Sequence, residues 1–197
     1  MKTNEERLQD LMAYLDSVTR INPSDIPAID LYMDQVTTFM ESHLSASKRH
    51  ADDKILTKTM INNYAKNDLL PPPVKKKYTK EHLLMLTFIY YFKNILSISD
   101  IQVLLGPLTE KHFNKDGEMN LTEIYEEIMR LELKQIDPLT KDIVRKYKMA
   151  CDSYENAEEE SQDFLKKFAF ICMLSFDVYV KKQVIEKLID DMADSHK

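Results

Sequence analysis

Glycine is scarce in this chain, which has only Gly106 and Gly117 among 197 residues. Glycine supplies the positive-φ turns of hairpins and the loops that hold phosphate groups, so the shortage argues against a sheet-rich fold and a glycine-rich nucleotide site. Cysteine is also scarce, and Cys151 and Cys172 have no motif spacing. This is typical of a reduced, intracellular protein. We therefore predict an all-α, cytoplasmic protein with short connections.

Long apolar runs are missing as well. The longest, residues 168–176, is far shorter than the roughly 20 residues that a membrane-spanning helix needs. The N-terminus is too charged to be a secretory signal. The sequence thus predicts no membrane association, and residues 168–176 are expected to form the centre of a buried helix.

Signatures of catalysis and of metal binding are absent from the pattern. The histidines show neither an HExxH motif nor paired zinc spacing, and they stand at positions His43, His50, His82, His112 and His196. No nucleophile elbow or phosphate loop occurs. We predict that the protein is not an enzyme and that it has no catalytic residues, metal site or cofactor.

Residues 112–123 resemble a calcium loop in spacing, with glycine at position six and glutamate at position twelve. Position one is His112, which is not a hard anionic ligand. The pattern favours an Asp116-Gly117 turn followed by a capping box between Asn120 and Glu123.

Basic residues are concentrated in one segment of an acidic chain. Between Lys48 and Lys93 there are ten Lys/Arg and four Asp/Glu, a net charge of +6, whereas the whole chain carries -6 and the remainder therefore -12. Such a segment indicates a local site for a polyanion, because an acidic chain would otherwise repel one.

Apolar spacing and capping residues predict the order of the helices. Helices are expected over 3–19, 34–44, 57–66, from Lys80 to Phe92, from Ser97 or Ser99 to Gly106-Pro107, over 121–135, 138–156 and 161–193. Expected N-caps are Asp34, Thr57 and Thr79. Asn67 is expected to be left-handed, and Pro71–Pro73 should send the chain extended through Val74–Tyr78.

Helices 34–44 and 57–66 form a candidate helix-turn-helix, with the second helix in the major groove of DNA. On it, Lys58, Asn62, Asn63 and Lys66 should point outward. Asparagine can read adenine, and lysine can neutralise phosphate. The lysine tract 75–77 follows three prolines directly and should lie along the phosphate backbone, as a wing does.

A family resemblance rests on these segments. TKTMINNY (57–64), LLPP (69–72), YTKEHL (78–83) and LSISDI (96–101) resemble the recognition helix and post-wing helices of MerR-like winged helix-turn-helix regulators. With LYMDQVTTFMESHL, the whole chain also resembles a bacterial group classed as domain of unknown function 1836. The resemblance implies an N-terminal winged helix-turn-helix and a role in transcription regulation.

Carried onto this sequence, the resemblance implies that Thr59 or Asn62 faces the bases, that Tyr64 or Asn63 contacts the backbone, and that Lys75–Lys77 replace the wing arginines. The wing glycine of the family is absent here. Together, the residues predicted to contact double-stranded DNA are Lys58, Thr59, Asn62, Asn63, Tyr64, Lys66, Lys75, Lys76, Lys77 and Tyr78.

A heptad-like seam runs along the last predicted helix, from Phe164 to Met192, at steps of four and three residues. One helix of an antiparallel bundle or a coiled coil would give this pattern. Because two-fold operators are read by two-fold proteins, we predict a homodimer whose interface includes Val178, Ile185, Ile189 and Met192.

Three regions follow from these patterns. Residues 1–27 are predicted to be an N-terminal helix and linker, 28–107 the winged helix-turn-helix domain, and 108–197 a helical domain for dimerisation or signal reception, with no sequence clue to a small-molecule effector. The predicted function is a DNA-binding transcriptional regulator. The alternative is a helical protein-interaction module that keeps the fold without binding DNA.

Overall fold

A computed structural model describes residues 2–17, 20–115 and 119–195. Over these residues the chain is mostly helical, as predicted, and it has one small sheet. The elements are α1 (Asn4–Ser17), β1 (Leu31–Tyr32), α2 (Met33–Leu44), α3 (Lys58–Lys66), β2 (Lys77–Tyr78), α4 (Lys80–Phe92), α5 (Ile98–His112), α6 (Leu121–Cys151) and α7 (Glu159–Asp194). Short 3-10 turns cover Pro23–Asp25 and Ser45–Ser47.

The chain divides into two compact units. The α1 unit comprises Met1–Ser17 and Arg130–Ile185, and the α4 unit comprises Val18–Met129 and Glu186–Lys197. No helix among the described residues combines the length and the apolar character that a membrane crossing requires.

The core of the α4 unit is built around α4. Every residue from His82 to Tyr90 is buried, so this helix is enclosed on all sides. Thr87 lies within this run, and its hydroxyl donates a hydrogen bond of 2.8 Å to the Leu83 carbonyl, which satisfies a polar group in an apolar setting. Helix α4 therefore forms the centre of this core.

Most predicted helix starts are confirmed. Thr57 Oγ1 accepts from the Met60 N–H at 3.1 Å, and Ser97 accepts from the Asp100 N–H at 3.1 Å. Thr79 is the N-cap residue of α4. The capping box between Asn120 and Glu123 is also present, with distances of 3.0 and 2.8 Å. The Asp116-Gly117 turn lies outside the described residues.

One predicted start is wrong. The N-cap of α2 is Tyr32 rather than Asp34, which lies in the first turn. There its carboxylate is close to the positive end of the helix dipole. The Tyr32 N–H is satisfied by the Gln35 side chain at 2.8 Å, so the helix starts earlier than the sequence indicated.

Helix ends were predicted at two prolines, and both predictions are wrong. α5 continues through Gly106-Pro107 to His112, and α6 runs unbroken from Leu121 to Cys151 with Pro138 inside it. A proline removes one backbone hydrogen bond and crowds the preceding turn, a cost that the remaining helix can offset.

The apolar run 168–176 lies inside α7 as predicted, but it is not buried. Phe168 is 51% exposed, Ile171 58% and Phe176 65%. The prediction that this run forms the centre of a buried helix is therefore wrong for the single chain. These side chains give α7 an apolar surface.

Candidate nucleic-acid interface

A two-stranded antiparallel sheet holds the candidate interface together. Leu31 pairs with Tyr78, and Tyr32 pairs with Lys77. The first strand leads directly into α2, and the second leads into α4. The pairing therefore fixes the lysine tract beside the start of the first helix of the candidate motif, which local sequence could not show.

The sequence predicted an extended chain through Val74–Tyr78, but the lysine tract forms a tight turn. Lys77 N–H donates to the Val74 carbonyl at 2.9 Å, and these two residues bridge. Between them, Lys75 and Lys76 have φ of 51° and 65°. Positive φ at both central positions defines a type I′ turn, which normally uses asparagine and glycine. Here two lysines occupy these positions and are exposed.

Helix α3 has one buried and one polar face. Ile61 and Tyr64 are buried, at 0% and 6% exposure. At 100° per residue, the exposed positions fall within an arc of about 140° on the other side. They are Lys58, Thr59, Asn62, Asn63 and Lys66. This polar face, which we call the α3 face, contains five of the ten predicted DNA contacts and no acidic residue.

The end of α3 is a Schellman-type cap in which Asp68, not the predicted Asn67, is left-handed. Asp68 has φ of 54°, and the Leu69 N–H donates to the Tyr64 carbonyl at 2.9 Å. Aspartate tolerates this conformation better than most residues do. Asn67 instead donates from its side chain to the Asn63 carbonyl at 2.8 Å.

Two predicted contact residues are placed in the core. Tyr64 and Tyr78 are 6% and 3% exposed, and burial raises the pKa of both phenols. Their rings anchor α3 and β2 in the core and are not available to contact DNA. The remaining eight predicted contacts are exposed.

The segment between α2 and α3 is long for a helix-turn-helix, but it is anchored. Ile55 and Leu56 are buried, and Lys93 Nζ donates to the Ile55 carbonyl at 2.7 Å. Partial burial lowers the pKa of Lys93. At the start of α3, Lys58 forms an ion pair with Asp34 of α2. Both side chains of this pair are largely exposed, so it contributes little stability.

His82 lies in the first turn of α4 and contacts the end of the lysine turn through Tyr78, a role that the sequence analysis did not predict. His82 is 1% exposed, and its Nδ1 accepts from the Thr79 N–H at 3.0 Å. Its ring meets those of Tyr78 and Phe113 edge to face, with centroids 5.4 and 4.8 Å apart. The Thr-x-x-His spacing imitates a capping box, and this was the signal available in the sequence.

Burial sets the direction in which the pKa of His82 is shifted. Within the described residues Nε2 makes no hydrogen bond, although it is fully buried. Burial lowers the pKa of His82, while the carbonyls of Pro71 and Pro72 and the charge of Asp30 oppose the shift. Because Nδ1 accepts from the Thr79 N–H, the neutral ring carries its proton on Nε2.

Along α7, the predicted interface residues differ in exposure. Val178 is 59% exposed, and Ile185 and Met192 are partly exposed. Ile189 is only 3% exposed and belongs to the core of the α4 unit. It therefore presents no surface to a second chain in this packing.

Among the described residues, no group of three or more His, Cys, Asp or Glu side chains could hold a metal ion.

Compared with known families, residues 21–128 match a family model described as a domain of unknown function (DUF1836). This match covers more than half of the chain and contains both strands, α2 to α5 and the start of α6. Neither a curated protein nor a solved structure matches the chain.

Proposed function

The chain belongs to the family described as domain of unknown function 1836, and we propose from the chemistry of its site that it is a DNA-binding transcriptional regulator. Helix α3 enters the major groove in the manner of a MerR-like winged helix-turn-helix. The turn at Lys75–Lys77 lies on the phosphate backbone as a short wing.

The observation that carries the proposal is the composition of the α3 face. Its exposed side chains are two lysines, two asparagines and one threonine, and Asp34 of α2 pairs with the lysine at its start, Lys58. Asparagine can pair with adenine through two hydrogen bonds, and threonine can contact bases through its hydroxyl or methyl group. An exposed helix with this chemistry has the donors and acceptors that base edges require.

The lysine turn supplies the second half of the argument. Lys77 is joined to Tyr32 through the sheet, and Lys75 and Lys76 are the exposed central residues of the turn. A turn with two adjacent cations held by backbone hydrogen bonds can contact consecutive phosphates at a fixed position relative to α3. Lysines on a flexible loop would supply the same charge but would not be held at a fixed position relative to the phosphates.

A homodimer completes the proposal. One recognition helix covers too few base pairs to be selective, and two-fold operators require two-fold proteins. Exposed apolar side chains run along α7, among them Phe168, Phe176 and Val178, and exposed apolar surface of this kind marks an interaction site. We propose that a second copy of this chain covers it.

A mobility-shift experiment on genomic fragments at low salt tests the proposal. The wild-type chain should retain a subset of fragments. A variant with Lys75–Lys77 changed to alanine should lose most of this binding. The matched control replaces three exposed lysines of α6 and α7, Lys134, Lys148 and Lys181, and removes the same charge elsewhere. Equal losses in both variants would reduce the interaction to net charge alone.

The second candidate function is a protein-interaction module, and one observation favours it. Exposed apolar side chains lie beside the basic turn: Val74, which is 67% exposed, begins it, and Tyr32, which is 54% exposed, pairs with Lys77. Apolar and basic groups together suit an acidic, partly apolar peptide. Failure to bind any duplex at low salt would favour this function over DNA recognition.

A further inference from the structure

The α1 unit contains a cavity that the proposed DNA interface does not use. Its volume is about 220 Å³, and its walls come from α1, the last turns of α6 and the first half of α7. Helix α1 contributes no buried residue. It is joined to the other helices by polar contacts, which include a 3.0 Å hydrogen bond from Tyr147 to the Asn4 carbonyl. The space beneath α1 is therefore incompletely packed.

Most of the wall is apolar and partly aromatic. Tyr147 and Phe170 meet edge to face, with ring centroids 5.3 Å apart and an interplanar angle of 84°. Ala150, which is 2% exposed, and Cys151 form the adjoining wall. A dry apolar cavity of about 150 Å³ can hold benzene, so this one, about half as large again, has room for an aromatic group of one or two fused rings.

The charge around the cavity selects an anion. The cavity lining includes one carboxylate, Asp163, and three cations, Arg7, Lys166 and Lys167, so it carries an excess of two positive charges. Asp163 pairs with both Arg7 and Lys167. Arg7 uses Nη1 in that pair, and a guanidinium has five N–H donors in all. Lys166 has no ion pair with any described residue.

From this combination we infer that the cavity is a binding site for a small aromatic carboxylate. The ring lies against Tyr147 and Phe170, and the carboxylate lies beside Arg7 and Lys166. Such a ligand fills the space beneath α1 and fastens that helix to α6 and α7. The inference stands apart from DNA binding, because α3 and its face belong to the other unit.

The two cysteines of the chain provide a localised readout. Cys151 lines the cavity, and Cys172 is exposed and does not. Alkylation of the full-length protein with iodoacetamide, followed by mass spectrometry of each site, should show that 2-naphthoate slows modification of Cys151 and leaves Cys172 unchanged. The uncharged analogue 2-naphthamide should need at least a tenfold higher concentration for the same protection, since a hydrogen bond to a charged group is lost.

Two variants separate the roles of charge and space. Arg7→Gln should raise the naphthoate concentration required by about tenfold and leave that for naphthamide unchanged, whereas the control Arg49→Gln, in the other unit, should change neither. Ala150→Leu fills the cavity and should abolish protection by both compounds, with an unchanged melting temperature as evidence that the chain is folded.

Three results would overturn the inference. The first is an unchanged Cys151 rate with 2-naphthoate and with the smaller benzoate. The second is equal protection by the acid and the amide, which would remove the role of the cations. The third is protection that persists in a folded Ala150→Leu variant, which would place the ligand elsewhere.

Discussion

Lys77 Nζ lies 5.7 Å from the centroid of the Tyr32 ring, above the residue with which it pairs in the sheet. An ammonium at this distance from an aromatic ring is attracted to its face. The contact and the backbone pairing together hold the end of the lysine turn against the start of α2. The start of α3 is joined to the same turn of α2 through the ion pair between Lys58 and Asp34.

The turn variant Lys75→Asn with Lys76→Gly should stabilise the protein and weaken DNA binding. Both lysines have positive φ, which is unfavourable for residues with a Cβ, whereas Asn-Gly suits a type I′ turn. We expect the free energy of unfolding to rise by about 1–2 kcal/mol, as measured with urea. Affinity for duplex DNA should fall, because two phosphate contacts are lost.

The control for this variant is Lys75→Arg with Lys76→Arg, which keeps charge and positive φ. It should change neither stability nor affinity greatly. If the Asn-Gly variant is stabilised and binds DNA as well as the wild type does, the turn is structural and does not contact phosphate.

Asn62→Ala should relax base preference at one position of the binding site by about 1–3 kcal/mol. Asn62 is exposed midway along α3, between Lys58 and Lys66. Selection from a random duplex pool, sequenced for wild type and variant, measures the change. Asn94→Ala, an exposed asparagine outside the face, is the control. A variant that weakens binding to selected and random duplexes equally would show that Asn62 does not read a base.

His82→Gln should remove a pH dependence of stability. The pKa of His82 is lowered in the folded protein, so the unfolded chain binds a proton more readily. The wild type should thus lose stability as the pH falls below about 6.5, down to the lowered pKa, and keep it above. Glutamine preserves the capping-box acceptor for Thr79 and does not titrate. Urea midpoints between pH 5.5 and 7.5 test this, and parallel slopes for both proteins would contradict it.

Val178→Asp should separate a dimer into folded monomers, whereas Ile189→Asp should unfold the chain. Val178 is 59% exposed and Ile189 is 3% exposed. A charge costs several kcal/mol where it is desolvated without a partner, so its effect depends on what surrounds each position. Light scattering coupled to gel filtration, with circular dichroism, measures both. A wild-type mass near 23.2 kDa at micromolar concentration would defeat the homodimer.

The sequence predicted local structure well where a capping residue met a periodic apolar pattern. Thr57 before Ile61 and Tyr64 is one case, and Thr79 before the mainly apolar α4 is another. It failed at Pro107 and Pro138, because proline penalises a helix without forbidding it and the rest of the helix decides the outcome.

The site itself was partly predictable. The outward positions of α3 follow from helical periodicity, but the turn at Lys75–Lys76 does not, since lysine rarely adopts positive φ. The pairing of Leu31 with Tyr78 joins segments far apart in the chain, and no local pattern encodes it. The exposure of Phe168 and Phe176 was likewise hidden, because apolar sequence does not reveal whether the covering surface belongs to the same chain.

The central claim is tested most directly by the salt dependence of binding to one selected duplex. If Lys58 and Lys75–Lys77 each contact a phosphate, the logarithm of the association constant should fall against the logarithm of salt concentration with a slope of about -3 to -4 per protomer. Alanine at Lys75–Lys77 should reduce this slope by nearly three, and the control at Lys134, Lys148 and Lys181 should leave it unchanged. A slope that is the same for the wild type and the Lys75–Lys77 variant would contradict the account.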